Sequence, residues 1–199
     1  MNRIANTAKL YPRVKLGKNV IVEDFCVLGA PFKGHTDEET IIGDNAVIRS
    51  HTVIYAGNKI GSDFQTGNKA NIRELNSIGD NVSIGTLSVV EHHIVIENDV
   101  RIHSQAFIPE YSILKKNCWI GPHVVLTNAK YPRSPRVKEL LQGVVVEESA
   151  KIGANSTILP GVIIGKNSLI GAGSVVTDNV QENHIVAGNP AVFIRKIDY

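Results

Sequence analysis

Little in this sequence is aromatic, sulfur-bearing or charged with one sign. Of 199 residues, two are cysteine, one is methionine and one is tryptophan, and aromatics make up 6%. So few cysteines exclude a disulfide-stapled secreted scaffold, and Cys26 and Cys118 read as small core residues. Lysine and arginine number 21 against 19 aspartates and glutamates, a net charge of +2. The basic residues are scattered without an aromatic-interleaved stripe, which removes the electrostatic footprint expected for nucleic acid. No apolar run approaches the roughly 20 residues a spanning helix needs, and the start, MNRIANTAKLYPRV, lacks the apolar centre of a secretory signal. A cytoplasmic setting is the expectation. No glycine-rich fingerprint follows a strand and opens a helix, so nucleotide hydrolysis has no support.

What the chain does contain is a period. An aliphatic residue recurs every sixth position from Ile42 through Ile48, Ile54 and Ile60 to Ile120 and Leu126, and only Thr66 breaks the rule. Four residues after many of these stands a second inward candidate, often small: Ala46, Thr52, Ala70, Ser88, Ala106, Ser112, Cys118. Helices want spacings of three and four, and an isolated strand wants alternation, so neither sustains a six-residue repeat. A short strand plus a corner does, and three such units close a triangular coil of eighteen residues. The repeat also covers Leu10 to Leu28 and Val146 to Val176. Counting from Leu16 gives about eight coils of an all-β parallel β-helix in one domain, with coils over about 10–181. Corner insertions are expected at about 30–40 and 128–143, and a cap at 182–199, where HIVAGNPAVFIRKIDY breaks the period.

Stepping by eighteen distinguishes the corners. One reads GKN, GDN, GSD, GDN at Gly17, Gly43, Gly61 and Gly79, turn residues that suit solvent. Both insertions leave from a second corner, which also stacks Glu74, His92, Glu110 and Asn128. An imidazole between carboxylates can be oriented, and made more basic, by either of them. At the third corner His103 sits over Gly121, leaving room for a ligand, and Gly153, Ala154, Gly171 and Ala172 follow. Small residues there would let a ligand lie against the backbone and its amide groups. His51 and His123 read as bystanders, and His35 in the first insertion is undecided between a ligand neighbour and solvent. Outward from the face leading into the insertion corner come Val53, Asn71, Val89, Phe107, Val125, Thr157 and Val175, a wall suited to another copy of the chain.

With these residues in place, the chain resembles the hexapeptide-repeat acyltransferases. That resemblance implies left-handed coils, a homotrimer with active sites between subunits, and acetyl-CoA as acyl donor with no metal. The segment SVVEHHIVI, Ser88 to Ile96, looks like the V-x-E-H-x-C-x-I segment of nucleotide-amino-sugar acetyltransferases of the bacillosamine and sialic-acid type. It implies His92 as general base, with Val95 or Ile94 where that family has cysteine. Trp119, Gly121, Pro122, Val125, Thr127, Asn128, Pro132 and Arg133 resemble the W/F-x-G-P-x-x-V-x-T-N and N-P-R segments of single-domain amino-sugar 3-N-acetyltransferases. In those enzymes a protein base is not always used. The expected function is therefore CoA-dependent N-acyl transfer to the amine of a nucleotide-linked amino sugar. His92, Glu110 and His103 are the catalytic candidates, and Glu74, His93, Asn128 and Arg133 would bind substrate. Gly121, Gly153, Ala154, Gly171 and Ala172 would meet pantetheine, and Arg195 and Lys196 its phosphates.

Two other readings share the fold. Trimeric carbonic anhydrases hold zinc with three histidines, but the spacing they need is missing among His92, His93, His103 and His123. A non-catalytic assembly subunit would explain the repeat and the outward wall. It would not explain the Glu74–His92–Glu110–Asn128 column.

Overall fold

The chain, in a computed structural model that describes residues 1–34 and 38–198, is a parallel β-helix. Its strands, mostly two residues long, are dealt in turn to three sheets of 11, 9 and 8 strands. Up to Val175–Val176 the strands pair three apart in order, so Ile78 lies beside Ile96 and Ile84 beside Ile102, one coil apart. The only helical segment among the described residues is a 3-10 turn, Val137–Leu140, and no helix is long and apolar enough to cross a membrane.

The six-residue period survives in three dimensions because its members all point inward. Ile42, Ile48, Ile54, Ile72, Ile108, Leu126 and Ile158 are fully buried, as are the second-position residues Ala46, Thr52, Ser88 and Ser112. Thr66 is inward too, and its hydroxyl explains the lapse. It accepts the Arg49 N–H at 2.9 Å and shares a 3.1 Å hydrogen bond with the Thr52 hydroxyl. Other small polar residues in the core serve corner carbonyls that turn inward. Ser88 donates to the His103 carbonyl and Ser112 to that of Pro109, each at 2.8 Å. Asn58 donates to the carbonyls of Tyr55 and Arg73. Among the described residues no buried side-chain nitrogen or oxygen lacks a partner, as burial requires. Both cysteines are buried and free.

The β-helix is longer than its hexads predict. The first sheet stacks ten parallel rungs, from Arg3–Ile4 to His184–Gly188, so the β-helix has about ten turns where the hexads predict about eight. At the start, Ile4 pairs with Val22 although it is 43% exposed. At the far end Ile185 and Val186 pair with Leu169 and Ile170 after the hexad has lapsed. Ladder hydrogen bonds need only extended backbone, so they outlast the side-chain repeat at both ends. Ala191–Lys196 then folds back antiparallel on His184–Gly188 around a cis Asn189–Pro190 peptide bond, closing that edge.

The outward wall on the second sheet is continuous: Val53, Asn71, Val89, Phe107, Val125, Thr157 and Val175 pair in sequence. The third sheet carries a shorter apolar ladder that the sequence reading passed over. Val95, Ile113, Val145 and Ile163 pair one above another, and Val95 and Ile163 are 42% and 41% exposed.

Candidate active site

The pairings Ile72 to Val90 and Val90 to Ile108 fix the corner that follows the second sheet. Residues eighteen apart must leave those strands one above another. The predicted column therefore forms, with one member bound to a partner outside it. Glu110 is held from one side, where its Oε2 accepts the Asn128 side-chain N–H at 2.6 Å. Its Oε1 is thereby left facing Nε2 of His92 at 3.6 Å, an ion-pair separation longer than a hydrogen bond. Nδ1 of His92 lies 2.8 Å from Nδ1 of His93, the rings meeting edge to face at 84°. Tyr111 stands against both imidazoles, with ring centres at 6.2 and 5.9 Å. His92 and Glu110 are about a quarter exposed, so the corner is open to a solute.

Glu74 accepts its hydrogen bonds from a partner other than His92. Its carboxylate is gripped in bidentate fashion by the neighbouring Arg73, at 2.9 and 3.1 Å. Arg73 also reaches Glu91 at 3.5 Å and lies over the Tyr55 ring at 4.9 Å. Burial is the strongest single influence and works to raise the Glu74 carboxyl, but the Arg73 hydrogen bonds, a backbone N–H and the Arg73 charge together outweigh it and hold the group below the usual carboxylate range. Glu91 shifts the other way. Burial raises it, and nearby Glu110 adds to the rise against the pull of Arg73. Behind the imidazole pair, then, sits an acidic layer with one cation threaded through it. In the sequence Arg73 carried no expected role and Glu91 stood only as the glutamate of the SVVEHHIVI segment, though the two are eighteen apart and opposite in sign, a signal of the same kind as the column.

The third corner is separate. His103 is exposed and stacks on Trp119 at 4.6 Å, beside a shallow groove of about 240 Å³ that Gly67, Gly85 and Arg101 also line. The glycines here have a reason other than ligand room. A Cβ on Gly121 would stand 2.6 Å from the Ile152 carbonyl oxygen, and one on Gly153 2.6 Å from the Ala172 nitrogen. Close stacking of the next coil forbids a side chain. Nor are their amides available, because Gly121, Gly153 and Gly171 donate to the carbonyls of Ile152, Ile170 and Val186. The N–H groups of Ala154 and Ala172 have no acceptor among the described residues, so these two retain a donor for a ligand amide.

The remaining predicted residues scatter. Arg133 stands exposed in the 128–143 insertion with a left-handed backbone, φ 63°, and the 3-10 turn of that loop buries nothing. Arg195 is bound to Asp198 at 2.7 Å, and Lys196 is exposed beside it on the end hairpin. His51 stacks on Phe25, His123 is exposed, and His35 lies outside the described residues. Among the described residues no group of three or more His, Cys, Asp or Glu side chains is arranged to hold a metal ion.

The repeat and the stacked corners match a family model described as bacterial transferase hexapeptide (six repeats), over residues 77–110 and 143–178. Over those residues the chain carries the hexapeptide repeat of that family. Among curated hexapeptide-repeat relatives, it is 29% identical to a dTDP-4-amino-4,6-dideoxy-D-glucose acyltransferase of Escherichia coli, over 77% of this chain and 88% of that one. It is 52% identical to a 2,3,4,5-tetrahydropyridine-2,6-dicarboxylate N-acetyltransferase of Halalkalibacterium halodurans, over 42% of this chain and 32% of that one. The chain thus spans about a third of the second relative's length. Among solved structures, a UDP-N-acetylglucosamine acyltransferase from Campylobacter jejuni superposes with a TM-score of 0.56 at 17% identity. It covers 98% of this hexapeptide-repeat chain and 75% of its own, a likeness of fold.

Proposed function

We propose that the chain is an N-acyltransferase that moves an acyl group, acetyl in the simplest case, from coenzyme A to the amine of a nucleotide-linked amino sugar. The observation that carries the reading is the open corner where Asn128 fixes Glu110 and Glu110 faces His92. An amine attacking a thioester carbonyl must shed a proton as the C–N bond forms and the C–S bond breaks. An imidazole near neutrality, backed by an oriented carboxylate, accepts such a proton. The relative that resembles this chain over most of its own length is named for acyl transfer to a dTDP-linked amino sugar, which supports the acceptor class.

The acyl donor suits the third corner. Coenzyme A supplies the reactive thioester, and the free N–H groups of Ala154 and Ala172 are placed to bind the amide groups of its pantetheine arm. Lys196 is available for its phosphates, whereas Arg195 would have to leave Asp198. The two corners lie on different edges of one prism, so a site that uses both takes them from adjacent subunits. Homotrimerisation through the outward wall centred on Val89, Phe107 and Val125 would supply that arrangement.

Purified protein is mixed with acetyl-CoA and a panel of nucleotide-linked amino sugars, and free thiol is followed. Thiol release that depends on one acceptor, and falls about a hundredfold in His92→Ala, is the expected result. No acceptor-dependent release, or undiminished turnover in His92→Ala, would overturn it. Sedimentation as a monomer at micromolar concentration would remove the trimer.

A further inference from the structure

We propose that the atom which takes the amine proton is Nε2 of His93, and that His92 is the inner member of a two-histidine relay. This rests on the acyl-transfer reading above. The two Nδ1 atoms are 2.8 Å apart, so one of them must carry hydrogen and the other a lone pair. Which one is decided by the far side of His92, where Nε2 looks at Glu110 Oε1. A lone pair there would face a carboxylate, whereas an N–H would face it favourably. A neutral His92 with its hydrogen on Nε2 has only a lone pair at Nδ1, so His93 is the donor between the rings. A neutral His93 that donates from Nδ1 has its lone pair on Nε2. Of the two imidazoles, His93 is the exposed one.

The groups around the pair support that direction. Glu110 faces His92 and is pinned by Asn128. Glu74 and Glu91 lie behind with Arg73, and Tyr111 packs on both rings. When the amine attacks, its proton passes to His93 Nε2 as the C–N bond forms. The His93 Nδ1 hydrogen moves to His92 Nδ1, leaving His93 neutral and His92 a cation beside Glu110. The thiolate freed by C–S cleavage takes up a proton as the pair returns to its resting form. His93 holds φ at 57°, a left-handed conformation costly for a side chain other than asparagine, aspartate or glycine.

Two measurements test the relay in the full-length protein. Nitrogen-15 spectra of ring-labelled histidine, recorded in alkaline buffer, should show hydrogen on His92 Nε2 and His93 Nδ1. Hydrogen on His92 Nδ1 and His93 Nε2 would overturn the proposal whatever the enzyme's activity. In kinetics His93→Asn is decisive, because asparagine suits the backbone and offers an N–H near the Nδ1 position but no base. Turnover should fall about a hundredfold, with the Michaelis constant for acyl donor unchanged, and adding His92→Ala should cost little more. Turnover of His93→Asn within a few-fold of wild type would mean that His93 only positions His92, and the relay would be wrong. A wild-type protein inactive on every acceptor would instead sink the acyl-transfer reading, and the spectra would still judge the proton's place.

Discussion

Two corners of the prism use the same left-handed turn and fill it with different residues. Where the third sheet ends, the turn is taken by Asn19, Asn45, Asp63, Asn81, Asp99, Asn117 and Asn167, with φ between 53° and 64°. Where the second sheet ends it is taken by Gly57 and Gly161 and, between them, by Leu75, His93 and Tyr111, at 60°, 57° and 65°. Asparagine and aspartate tolerate that conformation, while other residues with a Cβ lose about 1–2 kcal/mol in it. On the first corner the side chains also bond up the column: Asn45 to Asp63 at 3.1 Å, Asn81 to Asp99 at 2.8 Å, Asn117 to Ser149 at 3.1 Å. That corner is chosen for its backbone. The other carries residues chosen against theirs, and it is the one with the histidine pair and the buried acids.

The largest effect is expected on the turn-forming corner, in Gly43→Ala. The new Cβ would stand 2.5–2.6 Å from backbone atoms of Gly61 and Ser62, so neighbouring coils must part. A loss of about 3 kcal/mol, read from the denaturant midpoint, is the expected scale of such overpacking. Next comes Glu74→Gln at the candidate site, which leaves Arg73 without its bidentate partner and should cost about 1–2 kcal/mol at neutral pH. Because the folded group lies below the usual carboxylate range, its contribution is full at neutral pH. It disappears as pH falls below that range through the folded value, and wild type and variant should converge in acid.

Asn81→Ala should cost about 1 kcal/mol, by losing the bond to Asp99 and the left-handed preference together. The smallest effect has the opposite sign. Glu91 is raised in the folded protein, so its ionised form is disfavoured there, and wild type loses stability as pH rises from the usual carboxylate range through the folded value. Glu91→Gln should therefore be neutral or slightly stabilising at pH 7, with the difference gone in acid. A clear loss at pH 7 would mean that the Arg73 contact at 3.5 Å outweighs burial.

The fold was legible because six-residue spacing, unlike helical or plain strand spacing, has one geometric solution that buries every member. Eighteen-residue stepping even put Glu110 over His92 and Asn128 over Glu110, since stacked strands carry their corners with them. What it could not give was the direction of each side chain. Glu74 belongs to the column by number but to Arg73 by contact, because an adjacent guanidinium outcompetes an imidazole one coil away. The glycines of the third corner looked like ligand room and proved to be stacking room, a distinction that needs the position of the next coil. The coil count fell short because hexads report side chains, and the end rungs at Arg3–Ile4 and His184–Gly188 are kept by backbone bonds.

Those end rungs have a consequence for how the molecule comes apart. In a stack, each coil touches only the ones above and below it, so opening can begin wherever a neighbour is missing. Among the described residues the Arg3–Ile4 rung is paired on one side and Ile4 is 43% exposed, whereas the His184–Gly188 rung is covered by its hairpin. Amide hydrogens should therefore exchange in a gradient, fastest near Arg3 and slowest in the central coils that hold His92 and Glu110. Warmed slowly, the β-helix would lose its outer turns like a spring, while the corner of His92 and Glu110 is still wound.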